Sequence, residues 1–106
     1  MGKAGKMHDK KTFDRDMNRL AKAVLSLKDE KECAIFFEDI LTIQEMHSVS
    51  QRLKVALMLT QGMTCQHIAE ETGASTATIS RVNKCLNYGT GGYKTVLERL
   101  EENRGE

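Results

Sequence analysis

Between Cys65 and Lys84 the chain reads CQHIAEETGASTATISRVNK, with apolar or small residues wherever two helices crossing at a steep angle must close on each other. Ile68 and Ala69 fall on the inner face of a first short helix, Gly73 falls in the turn, and Ile79 and Val82 return to the core from a second helix. A side chain longer than that of Ala69 at the crossing would push the helices apart, and Gly73 supplies a left-handed backbone without a Cβ clash. This spacing predicts a helix-turn-helix over about residues 64–86.

With Ile79 and Val82 turned inward, the helical period puts Ser75, Thr76, Ala77, Ser80, Arg81 and Lys84 on the opposite surface, and none of them is acidic. Small hydroxyl and methyl side chains let a helix sink into the major groove of DNA, where hydroxyls bond base edges and an alanine methyl touches thymine. Arg81 and Lys84 lie further along, placed for phosphate or for a ligand. The alternative is a surface helix that is merely solvated, and the absence of acids weighs against it.

The chain has 106 residues, enough for one small core, and contains no proline, no tryptophan and only five aromatic residues (Phe13, Phe36, Phe37, Tyr88, Tyr93). That composition predicts an all-α protein with an aliphatic and methionine core. No apolar run is long enough to span a bilayer, and the lysine-rich start is not followed by an apolar segment of signal-peptide type, so a cytoplasmic protein is expected. Cys33, Cys65 and Cys85 form an odd set without paired spacing, which fits reduced thiols better than a disulfide framework.

A net charge of +1 speaks against coating nucleic acid by bulk electrostatics. Residues 1–22 nevertheless carry seven bases against three acids, a balance of +4, while residues 97–106 carry four acids against two bases. Residues 1–11 read as a flexible basic arm and residues 12–106 as a single all-helical domain.

Periodicity places a first helix from about Thr12 to Leu27, with Phe13, Met17, Leu20, Val24 and Leu27 in one stripe. A second, from about Asp29 to Leu41, carries Cys33, Phe36, Phe37 and Ile40 on a broad face that should be heavily buried. Thr42-Ile43-Gln44-Glu45 has the form of a capping box and opens a long helix to about Thr60, which Gly62 ends. Thr64 is the expected N-cap of the first motif helix, and Ala74 or Ser75 opens the second. The run YGTGGYK from Tyr88 to Lys94 breaks the period ahead of a last helix of about Tyr93 to Asn103; no preceding strand or Walker-type sequence makes it a phosphate loop, and a hinge is expected. Helices one to three are apolar over more surface than a small monomer hides, so an interleaved homodimer is expected, with two reading helices roughly 34 Å apart on a palindrome.

ILTIQE, QRLKV, GMT and ETGASTATISR, spread from about Ile40 to Leu100, resemble the Trp repressor superfamily, and within it the YerC/YecD-type branch. Ala77-Thr78-Ile79-Ser80-Arg81 is the most specific piece. The resemblance implies an intertwined all-helical dimer that represses transcription through paired helix-turn-helix units. It also implies DNA contacts by Thr76, Ala77, Thr78 and Ser80, with Gln66 and His67 near the backbone, and a corepressor cleft lined by Thr42, Arg52 and Arg81. Two arginines converging on one cleft suit a carboxylate, because each guanidinium bonds it through a planar fork. Two departures argue against tryptophan itself: Val82 stands where the family has a glycine that leaves room for the indole ring, and the segment between Gly62 and Gly73 is one residue shorter.

Two rival functions follow from other residues. Cys65 and His67, two apart on a helix, point to different sides and make a poor metal or nucleophile pair, so no catalytic or metal residue and no cofactor is assigned beyond a small-molecule corepressor of unknown identity. A degenerate helix-turn-helix that docks a protein partner in transcription is the closer rival. Such a face would show large apolar anchors, which the predicted reading surface lacks.

Overall fold

The structure is a computed structural model and describes residues 9–104. Among the described residues there are six helices and no strand: α1 (Lys10–Leu25), α2 (Glu30–Ile40), α3 (Ile43–Thr60), α4 (Cys65–Thr72), α5 (Thr76–Tyr88) and α6 (Gly92–Arg104). The chain divides into two compact units, the first ending at Thr42 and the second beginning at Ile43, where the sequence pattern predicts one domain.

In the first unit α1 begins two residues ahead of the expected start at Thr12, because the Asp9 carboxylate accepts the Lys11 amide at 3.0 Å and caps the helix there. Lys10 and Lys11 therefore belong to a helix and not to the arm; the arm's first eight residues lie outside the described ones. Asp29 caps α2 by accepting the Glu32 amide at 2.9 Å, while the Glu32 carboxylate accepts the Lys28 amide at 2.9 Å, a reciprocal box that the sequence reading overlooked. The broad face of α2 is not heavily buried: neither α1 nor α2 has a single buried residue, and Phe13, Met17, Ile35 and Ile40 are all exposed. Two helices alone have no third layer to close over their apolar stripes.

The second unit has a closed core of Val55, Ala56, Met58, Ile68, Ala74, Ile79, Val82, Leu86 and Leu97. Ile68, Ile79, Val55 and Val82 are its largest fully buried side chains, so α3, α4 and α5 meet at one point. Ala56 and Ala74 take the most enclosed small positions and Ala69 is half-buried. Only the last two turns of α3 take part; Ile43, Val49 and Leu53, ahead of them, remain exposed. After Thr60 the Gly62 amide donates to the Leu59 carbonyl and the Met63 amide to the Met58 carbonyl, at 3.1 and 3.2 Å, which closes the helix end as the sequence predicts.

Candidate nucleic-acid interface

The two motif helices begin with hydroxyl caps. Thr64 accepts the His67 amide at 3.1 Å ahead of α4, and Ser75 accepts the Thr78 amide at 3.1 Å ahead of α5. Neither helix has an acid in its first turn, so the positive end of each backbone dipole is left uncompensated by side chains. Between them Gly73 sits at φ 74°, a left-handed conformation that a Cβ would strain, and its amide donates to the Ala69 carbonyl at 2.9 Å.

Of the residues assigned to DNA contact, Gln66, His67, Thr76, Ala77, Ser80, Arg81 and Lys84 are exposed. Ser75 is exposed too, but its hydroxyl is engaged: besides capping α5 it donates to Thr78 Oγ1 at 3.1 Å. Thr78 is half-buried and faces a cleft rather than open solvent. The acids of α4, Glu70 and Glu71, fall in its last turn, away from the cap that carries Gln66 and His67.

Arg52 of α3 and Arg81 of α5 line one cleft of about 230 Å³, completed by Ala77, Thr78 and Val82. The two arginines singled out from sequence are thus brought together. Val82 is 1% exposed and serves at once as a core residue and a wall of this cleft. Thr42 ends the first unit, one residue ahead of α3.

Sequence reasoning missed two polar pairs. Asn87 Nδ2 donates to Asn83 Oδ1 at 3.2 Å on the exposed side of α5, a four-residue spacing that could have been read from the chain. Gln51 Nε2 donates to the Thr72 carbonyl at 3.0 Å across the fold, which no local pattern announces.

Three helices packed around a left-handed glycine, with no acid anywhere in α5, define a helix-turn-helix protein. The chain belongs to the Trp repressor family: the family described as Trp repressor protein matches residues 15–101. That family is one of DNA-binding regulators. The chain is 51% identical over 92 residues to YerC, an uncharacterized protein of Bacillus subtilis (strain 168), covering 87% of this chain and 88% of the relative. A TrpR-like protein from Eubacterium eligens ATCC 27750 is similar in structure, with a TM-score of 0.79, 56% identity, and coverage of 82% of this chain and 90% of the other. A protein from Staphylococcus aureus described as a candidate Trp repressor also has a TM-score of 0.79, at 45% identity, with 82% and 87% of the two chains covered.

Proposed function

We propose that this protein is a sequence-specific transcriptional repressor that binds operator DNA as a homodimer and is modulated by a small carboxylate other than tryptophan. The observation that carries the reading is the acid-free α5, with Thr76, Ala77, Ser80 and Arg81 exposed, together with the hydroxyl caps of α4 and α5. Thr76, Ala77 and Ser80 read base edges, Arg81 and Lys84 serve phosphate or ligand, and Gln66 and His67 lie along the backbone. Ser75 and Thr78 act mainly by holding the start of α5 in shape. Water-mediated base contacts suit such short hydroxyls; the Trp repressor is itself the standard illustration of that mode of readout.

Support for the homodimer comes from apolar surface. Phe13 is 57% exposed and Ile35 55%, and in the second unit Val49, Leu53, Tyr93 and Val96 line an open groove of about 650 Å³. A second copy of the chain is the covering that suits them. The effector reading rests on the Arg52–Arg81 cleft. Val82 in its wall disfavours an indole ring and leaves room for a compact carboxylate. The protein has no catalytic role in this reading and works in the cytoplasm; among the described residues no helix is long and apolar enough to cross a membrane.

The test is selection of bound duplexes from a randomised DNA pool at about 0.15 M salt, with and without a pool of amino acids and other small carboxylates, with Arg81→Ala alongside. Enrichment of a palindrome is expected, together with a ligand dependence that Arg81→Ala abolishes. No enrichment under either condition overturns the reading in favour of protein docking. Micromolar tryptophan binding by calorimetry overturns the choice of effector.

A further inference from the structure

The last carbonyls of an α-helix have no partner within the helix and need one from elsewhere. At the end of α4 the Ala69 carbonyl accepts the Gly73 amide at 2.9 Å, and the Thr72 hydroxyl donates back to the Ile68 carbonyl at 2.7 Å. The carbonyl of Thr72 itself is taken by Gln51, 21 residues earlier on α3, whose Nε2 donates to it at 3.0 Å in a half-buried setting. The Thr72 hydroxyl also accepts the Ala74 amide at 3.1 Å, and Ala74 is 5% exposed in the core. Gln51, Thr72 and Ala74 therefore form a polar relay from the long helix through the turn to the start of the reading helix.

We propose that Gln51 is a positioning residue for DNA recognition, one that sets how the helix-turn-helix sits on α3; this rests on the DNA-binding reading above. Its placement carries the argument. Gln51 meets the end of α4, and its neighbour Arg52 lines the cleft formed with Ala77, Thr78, Arg81 and Val82 of α5. Two consecutive residues of one helix thus engage both sides of the turn. The exposed residues of α4 and α5 must address one duplex together, and their relative placement depends on that turn. Without the Gln51 amide the Thr72 carbonyl loses its partner, and the turn gains freedom where the two helices must stay in register with DNA.

Gln51→Met keeps the length of the side chain and removes the donor. In the full-length protein, affinity for the enriched duplex is expected to fall on the order of tenfold, with affinity for a scrambled duplex unchanged. Exchange of the Ala74 amide should accelerate by a similar factor. Thr72→Val, which breaks the same relay, should combine with Gln51→Met less than additively in specific affinity. Gln61→Met, an identical change on an exposed glutamine just past α3, should leave each readout unaltered. Equal losses on both duplexes, additive effects of the two substitutions, or full specificity in Gln51→Met would overturn the proposal while leaving DNA binding intact. Lack of preference in the unsubstituted protein would overturn the DNA-binding reading as well.

Discussion

Asp9 and Asp29 cap the two helices of the first unit with carboxylates, whereas Thr64 and Ser75 cap the two helices of the motif with hydroxyls. Both residue classes satisfy an orphan amide about equally well. They differ in charge: a carboxylate cancels the positive end of the helix, and a hydroxyl leaves it available to an anion. The units also differ in how they hide apolar surface. The second closes a core within one chain, and the first has no buried residue among those described. In the proposed homodimer the partner copy covers the first unit, while the second keeps a defined shape within one chain and presents helix starts without acids in their first turns.

The largest expected effect tests the covering. Phe13→Glu combined with Leu20→Glu places charges on the exposed stripe of α1 and should weaken homodimerisation by at least about a hundredfold, as read by sedimentation velocity across a dilution series. An unchanged dimer would mean that this stripe is not what the second copy covers. The next tests the self-contained core. Ile79 is 1% exposed, so Ile79→Ala should lower the unfolding free energy by about 2–5 kcal/mol, measured by denaturant titration. Ile35, 55% exposed, should behave differently: Ile35→Ala in the Phe13→Glu/Leu20→Glu background should stay within about 0.5 kcal/mol. Similar costs at the two positions would erase the distinction between the units.

Gly89 gives a smaller effect at the end of α5. Its amide donates to the Cys85 carbonyl at 2.9 Å, and a Cβ added there would collide with that carbonyl oxygen. Gly89→Ala should cost about 1–3 kcal/mol by unwinding the last turn of α5. A cost near zero in thermal unfolding would show that the segment after Tyr88 yields as freely as a hinge.

The same contrast explains what the sequence made legible. In the motif, the residues that decide the fold are close together in the chain, so Ile68, Gly73, Ile79 and Val82 could be placed from spacing alone, as could the Thr64 cap. Arg52 and Arg81 were paired by family resemblance, because nothing in local periodicity brings residues of α3 and α5 together. Gln51 escaped notice for a related reason: its partner is a backbone carbonyl, which leaves no trace in residue types. For α2, periodicity reported an apolar face correctly but could not say what lies over it. An apolar period reports only which face is apolar, and a two-helix unit has no third element of its own to bury it.

The smallest change in stability offers the sharpest test of the cap contrast. Ser75→Asp replaces one good N-cap by another, since an aspartate carboxylate can accept the Thr78 amide and the Thr78 hydroxyl that the serine now engages. Unfolding free energy should therefore move by no more than about 0.5 kcal/mol. DNA binding should respond far more, because the new charge lies at the start of α5 beside Thr76 and Ala77, where phosphates and base edges would approach. Affinity for the enriched duplex is expected to drop on the order of tenfold, with weaker dependence on salt as an opposing charge offsets part of the phosphate attraction. The reverse exchange in the first unit, Asp29→Ser, also swaps one good cap for another and should leave stability and DNA affinity nearly as they were. Should Ser75→Asp bind DNA as tightly as the unsubstituted protein, the hydroxyl cap has no bearing on recognition. If it instead loses affinity only in step with lost stability, the cap matters for folding and not for the charge it withholds.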